Sequence, residues 1–273
     1  MPYQKVNDLT IHYEIEGDGP PLVLLHGMGN NSRSWRKQIE TLCHYFTVVA
    51  WDAPGYGKSS DPQKPLTEFT DFAKVLRAFL DKLNLHDIYL LGHSMGAATA
   101  LEFYDFYPDF IKALILADAT RGAAACDHEE NEKKLKVRLD SIKNLPPNKL
   151  AKERVKKLLS PHASDEVRKL AESIMSEARP AGYCSVAYSL YNANQMSLYP
   201  MVNIPTLIMC GELDDVTPVS ESKIIHSHIQ KSEFVTIPNA GHLCYLEDPN
   251  IFNYHVINFL CKIEQSKRIL ERK

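Results

Sequence analysis

The stretch that decides the fold is LLGHSMGAA, residues 90–98. An apolar, strand-like run, Ile88–Leu91, leads into it, and a helical pattern, Ala97–Tyr107, leads out. Between them Gly92-His93-Ser94-Met95-Gly96 reads G-x-S-x-G. At a tight strand-to-helix turn, a serine in that position lifts its hydroxyl above the end of a sheet, and the flanking glycines let neighbouring backbone come close. Ser94 is therefore a candidate nucleophile. The backbone N–H of Met95 lies at a helix N-terminus, where it can donate to a developing oxyanion.

A serine hydroxyl is a poor nucleophile until a base takes its proton and a third group orients the base. His93 is adjacent, but consecutive residues at a strand end point in different directions. It is expected to pack or hydrogen-bond beneath the turn. His12, His44, His86, His128, His162, His226, His228 and His255 lie in segments with no supporting motif, and His26 in LLHGMG is expected to shape its own loop. His242, in IPNAGHLCYLEDP, follows the last apolar run and precedes the last helix. That puts it at the carboxyl edge of the sheet, the same edge as Ser94, where ligand-handling groups of such sheets collect. CGELDDVTP, residues 210–218, offers three acids at that edge: Glu212, Asp214 and Asp215.

Outward from these motifs, the chain alternates strand and helix signals. Strands are expected at Leu9–Glu16, Pro21–Leu25, Phe46–Trp51 and Ala113–Ala117, with helices at Ser34–Leu42 and Phe69–Leu83. Short apolar strands alternating with amphipathic helices predict an α/β fold with a mostly parallel sheet covered on both faces. Residues 121–200 break the pattern. They carry no convincing strand and instead show helical segments near 128–143, 148–159, 164–178 and 183–196, separated by PP at 146–147 and RPAG at 179–182. The alternation resumes with Thr206–Cys210, Ser220–Ile229, Phe234–Ile237 and Asn250–Ile263. The expected division is a core from 1–120 and 201–273 with a helical insertion at 121–200. The charged face Glu129–Lys136 reads as solvated, and so does the mixed-charge end KIEQSKRILERK.

Composition narrows the function. The 273 residues can bury a large core without disulfides or metals. A net charge of −3 gives no reason to expect nucleic acid or an anionic membrane as partner. No secretory signal or membrane-spanning run is visible. The six cysteines form no CxxC pair and read as reduced thiols of a cytoplasmic protein. No HExxH or Cys/His cluster suggests a metal, and the glycine loops match neither a Walker nor a dinucleotide pattern.

Five motifs stand in order: LLHGMGNNSRSW, DAPGYGKSS, GHSMGA, PTLIMCGELDDVTP and AGHLCYLEDP. Together they resemble the α/β-hydrolase superfamily, in its broad group of esterases and 3-oxoadipate enol-lactonase-like serine hydrolases. The order serine, acid, histidine also agrees with that superfamily. The resemblance implies that the G-x-x-D-x-x-T-P pattern, matched by Gly211, Asp214, Thr217 and Pro218, assigns the acid to Asp214. It implies that Met28, the residue after His-Gly, supplies the second oxyanion N–H beside that of Met95. It implies that 121–200 forms a cap above Ser94. Met28, Met95 and Leu243 are then expected on the pocket wall. Tyr183, Tyr188 and Tyr191 of the insertion are candidates for an apolar pocket, although taken singly each is better placed as packing, as are Met175 and Met196. Asp52 is expected to fix the active-site rim rather than act in catalysis.

The expected activity is hydrolysis of a small-molecule carboxylic ester or lactone through an acyl-enzyme on Ser94, with no cofactor. Carbon–carbon bond hydrolysis of ring-cleavage products ranks lower, because HGMGNN lacks the Gly-Pro run associated with that group's oxyanion loop. Dehalogenase and epoxide hydrolase relatives carry aspartate where Ser94 stands. Cofactor-free haloperoxidase activity shares the serine triad, and a ligand-binding receptor on the same fold is the alternative outside enzymes.

Overall fold

The computed structural model describes residues 2–270. In chain order its elements are β1 (Tyr3–Val6), β2 (Leu9–Glu16), β3 (Pro21–Leu25), α1 (Arg36–Leu42), β4 (Thr47–Trp51), α2 (Phe69–Lys82), β5 (Ile88–His93), α3 (Met95–Phe106) and β6 (Ile111–Ala117). Four helices follow, α4 (His128–Asn144), α5 (Pro147–Leu158), α6 (Asp165–Met175) and α7 (Pro180–Asn192). Then come β7 (Thr206–Gly211), α8 (Val219–His228), β8 (Ser232–Ile237), α9 (Cys244–Glu247) and α10 (Pro249–Leu270). The strands form one sheet in the order β1-β2-β4-β3-β5-β6-β7-β8. β1–β2 and β2–β4 are antiparallel, and every other pairing is parallel.

Alternation along the strands builds two cores. In β3, Val23 and Leu25 join Leu76, Phe79 and Leu101 of α2 and α3 on one face. Leu22 and Leu24 join Ile39, Phe252 and Leu260 of α1 and α10 on the other. All four strand residues are fully buried, as a parallel sheet covered on both sides requires. The second layer is closed by Trp35 stacked on Tyr245 at 4.2 Å between ring centroids.

The expected elements are present with shifted ends. β5 runs on through His93, and α3 starts at Met95, two residues before its apolar pattern does. The helix expected at Ser34–Leu42 opens as a 3₁₀ turn, Ser32–Trp35, before α1. β1 was not foreseen, because four residues with mixed exposure carry too little periodicity. α10 runs seven residues past its expected end at Ile263, and α7 is shifted at both ends. RPAG reads as a breaker, yet Pro180 occupies the first turn, where proline fits, and α7 begins three residues before the expected 183. Gly182 is inside the helix because Gly55 packs against it. A Cβ on Gly182 would lie 2.5 Å from the Gly55 carbonyl oxygen, and one on Gly55 would lie 2.5 Å from the Gly182 Cα.

No helix among the described residues is long and apolar enough to cross a membrane. All six cysteines are free thiols.

Candidate active site

Ser94 sits between the end of β5 and the start of α3, at φ 53° and ψ −114°. An L-residue pays about 1–3 kcal/mol for such a conformation, so the surroundings must enforce it. They do so by close contact. A Cβ on Gly92 would meet the Gly96 carbonyl oxygen at 2.2 Å, and one on Gly96 would meet that of Leu25 at the same distance. The Ser94 N–H donates to the Ala117 carbonyl of β6 at 2.9 Å. As the first residue of α3, Met95 has an N–H with no acceptor inside the helix.

His242 and Asp214 meet at the same sheet edge. His242 Nδ1 lies 2.8 Å from Asp214 Oδ2. Asp214 Oδ1 accepts from the N–H groups of Val216 and Thr217 at 2.7 and 3.0 Å. The Thr217 hydroxyl donates to Asp214 Oδ2 at 2.7 Å and stands 3.2 Å from His242 Nδ1. Burial would raise the Asp214 pKa, but the His242 charge and the hydrogen bonds from His242 and Thr217 outweigh it and hold it at about 2. The two other acids of CGELDDVTP do different things. Glu212 accepts from the Asn239 N–H at 3.0 Å, and Asp215 is exposed.

His93 lies under the turn. Its Nε2 is 2.7 Å from the His242 carbonyl oxygen, so it carries the proton on Nε2 and donates it. Its Nδ1 is buried without a partner. Burial, followed by the proximity of His242, lowers its pKa to about 3. A neutral His93 thus holds the backbone of the loop that presents His242.

Sequence reasoning missed Asp118. It follows β6 at φ 46° and is fully buried. Its Oδ1 accepts from the Gly211 N–H and its Oδ2 from the Cys244 thiol, both at 2.9 Å. Burial, with the charge of Asp214 beside it, pushes its pKa well above the usual carboxylate range, which favours the protonated form. The available signal was an acid directly after an apolar strand, in LILADAT. Asp118, Asp214 and His242 offer ligand atoms within 4.8 Å of one another, a spacing that suits a metal ion. All four carboxylate oxygens are already occupied by the hydrogen bonds above, which account for the cluster.

The titration of His93 has a measurable consequence. Between pH about 6.5 and about 3 the unfolded chain protonates His93 and the native state does not, so acid weakens the fold through this group. Asp118 works in the opposite sense. Its raised pKa gives stability that is complete below about 3.8 and is lost as pH rises through the folded value. Comparison of wild type with His93→Gln isolates the first effect. The stability advantage of wild type should shrink by about 1.4 kcal/mol per pH unit from pH 6 to 4.5, read as urea midpoints. A constant gap would show that His93 takes up a proton in the native state.

Ser94, His93, Thr217, His242, Met28 and Leu243 all border one cavity of about 530 Å³. Met95 does not; its side chain is buried in the core beneath. Tyr183, Tyr188 and Tyr191 are also absent from the lining. Tyr183 falls with Val186 and Ala187 on the inward, i/i+3/i+4 face of α7 and packs in the core. Tyr188 is half-buried, and Tyr191 packs its ring near His128 of α4. The lining comes instead from α4 and α5, with Leu190 as the α7 contribution. Glu130, Lys133 and Lys134 of the charged face Glu129–Lys136 are exposed, as expected of a solvated face, and also border the cavity.

The inserted helices touch three loops of the site. Glu177, after α6, bonds Asn31 at 3.0 Å and pairs with Arg33 beside the Met28 loop. The Leu158 carbonyl of α5 accepts from the Leu243 N–H at 3.2 Å, and Glu247 bridges the N–H groups of Gly241 and Ser160 at 2.9 and 3.1 Å. Arg179, ahead of α7, donates to the carbonyls of Gly57 and Ser59, both at 2.6 Å. In that rim loop Asp52 is fully engaged. It accepts from the N–H groups of Ser32 and Lys58 at 2.7 and 2.8 Å and contacts His12 Nδ1 at 2.8 Å. His26 links the rim to the Met28 loop by accepting the Ala53 N–H at 3.0 Å.

The chain belongs to the α/β hydrolase fold family, whose model matches residues 20–249. It is 25% identical over 254 residues to 3-oxoadipate enol-lactonase 2 of Acinetobacter baylyi, covering 91% of this chain and 92% of the relative. It is 28% identical over 270 residues to 2-hydroxy-6-oxononadienedioate/2-hydroxy-6-oxononatrienedioate hydrolase 1 of Pseudomonas putida, covering 93% and 92%. Among solved structures, a thermophilic esterase from Thermogutta terrifontis superimposes with a TM-score of 0.86 at 28% identity, covering 93% of this chain and 94% of the esterase. The three names share hydrolysis and differ in what is hydrolysed.

Proposed function

We propose that this chain is a serine hydrolase of carboxylic esters or lactones. The observation that carries this reading is the Asp214–His242 pair, 2.8 Å apart, with His242 bordering the same cavity as Ser94 on its strained turn. His242 Nε2 takes the proton of Ser94 as Oγ attacks the carbonyl carbon. Asp214 accepts from Nδ1–H, fixes the tautomer and stabilises the imidazolium. The N–H groups of Met28 and Met95 receive the negative oxygen of the tetrahedral intermediate. Its collapse expels the alcohol, which takes the proton back from His242 and leaves an acyl-enzyme. A water then gives a proton to His242 and adds to the acyl carbon, and release of the carboxylic acid restores Ser94.

The helices of 121–200 act as the cap, closing the cavity from above the sheet edge. Six free thiols fit a reducing compartment such as the cytoplasm.

The test is labelling with a fluorophosphonate, together with a panel of short p-nitrophenyl esters, simple lactones and ring-cleavage dienoates. We expect one phosphonyl group per chain, mapped to Ser94 by peptide mass spectrometry, and turnover of esters or lactones above the dienoates. No label with no turnover would favour a binding protein. Dienoate cleavage alone would move the assignment to carbon–carbon bonds.

A further inference from the structure

The roof of the cavity carries two arginines with no acid. Arg138 of α4 and Arg154 of α5 both line it, and among the described residues neither makes an ion pair or a side-chain hydrogen bond. Arg154 Nε is sealed from water and lacks an acceptor. The guanidiniums are close enough to repel. Burial first, and then the charge of Arg154, lowers the Arg138 pKa to about 10. The Tyr183 hydroxyl, in electrostatic contact with Arg138, is likewise buried and unpartnered.

Nearby charges do not neutralise the pair. Of the acids lining the cavity, Glu130 is bound to Lys134 at 2.8 Å and Glu221 to Arg121 at 2.6 Å, while Asp215 is exposed. Lys133, also in the lining, adds another cation without an ion pair. A half-buried guanidinium pair kept apart from carboxylates is unfavourable for the empty protein. An anionic group entering the cavity supplies the missing acceptors, and planar guanidinium matches carboxylate or phosphate in a two-pronged geometry.

Position relates this anchor to the reaction. Arg154 and Leu158 are one turn apart on the cavity face of α5, about 6 Å along its axis. The Leu158 carbonyl holds the N–H of Leu243, next to His242. The anion site is thus tied to the loop of the proposed base.

We propose that Arg138 and Arg154 form a subsite for an anionic group carried by the substrate, so that the preferred ester or lactone bears a carboxylate or phosphate away from the bond that is cleaved. This rests on the hydrolase reading for its substrate but not for its binding site, and the two can fail separately.

The binding arm uses the intact protein and needs no turnover. Wild type, Arg154→Gln and Arg138→Gln are titrated with glutarate and with inorganic phosphate by calorimetry, with melting curves to confirm folding. Saturable binding of either anion, weakened about tenfold or more in each variant, is expected, and the tighter of the two identifies the chemistry. No saturable binding, or binding unchanged in both variants, overturns the subsite. The kinetic arm compares p-nitrophenyl hydrogen glutarate with its neutral methyl ester. Wild type should prefer the anionic ester by about tenfold to a hundredfold in kcat/KM. The variants should lose that preference while keeping the rate on the neutral ester. An equal loss on both esters would assign the arginines to folding of the cap and overturn the proposal. Glutarate binding without hydrolysis of either ester would remove the hydrolase reading and leave the anion site standing.

Discussion

Ser94→Ala should lower kcat/KM for a short p-nitrophenyl ester by about 10⁴- to 10⁶-fold. The variant should still melt within a few degrees of wild type. The change deletes one oxygen from a side chain that borders the cavity and leaves the turn in place. Alanine at φ 53° is as strained as serine, and the forces that hold the turn do not involve the hydroxyl. They are the close packing at Gly92 and Gly96 and the Ser94 N–H bond to Ala117, all backbone features. The residual rate should come from binding and the oxyanion donors alone. Fluorophosphonate labelling should vanish with turnover. Hydrolysis at the wild-type rate in the folded variant would remove Ser94 from the mechanism.

The second large effect separates two acids that stand side by side. Asp214→Asn should lower kcat by about 10⁴-fold, because an amide facing Nδ1 favours the wrong imidazole tautomer and cannot stabilise the cation. Asp118→Asn should change kcat less than tenfold. Burial and the neighbouring Asp214 favour the neutral form of Asp118, whose charge an amide reproduces. Its partners are the Gly211 N–H, the Cys244 thiol and the Asp214 carboxylate, and it makes no hydrogen bond to His242. Both variants can be compared at pH 7 on one ester, with melting curves to confirm that each is folded. A larger loss in Asp118→Asn than in Asp214→Asn would mean that the charge resides on Asp118, reversing the assignment.

Much of the site could be read from residues alone, and the reason is geometric. A parallel sheet gathers the ends of its strands at one edge, so a serine after β5, an acid after β7 and a histidine after β8 become neighbours however far apart they are in the chain. The strand-to-helix register around Ser94 was equally legible, because Gly92 and Gly96 mark where backbone must approach backbone. Asp118 was not, since its meaning depends on a pKa set by burial and by Asp214. The pocket wall was the least legible part. Helical periodicity tells which side of α7 is apolar, but the same apolar signal describes packing, and Tyr183 went to the core. The charged side of α4 is exposed, as its polarity indicates, but polarity did not show that part of it also borders the cavity. Periodicity sorts residues into apolar and polar faces and carries no information about where a void will form between elements.

The contact between Gly55 and Gly182 divides the enclosure into a fixed part and an adjustable one. Backbone rests on backbone there, so neither position accepts a side chain without lifting α7 off the rim loop. By contrast, α4 and α5 border the cavity at positions that include Lys133, Val137, Arg138 and Arg154, none of them a glycine pressed backbone to backbone. Libraries that vary these four positions would sample new chemical preferences on an unchanged frame. Libraries that touch Gly55 or Gly182 would mostly sample failure to assemble. Assembly and selection thus rest on different residues of the enclosure, which makes it suited to retargeting.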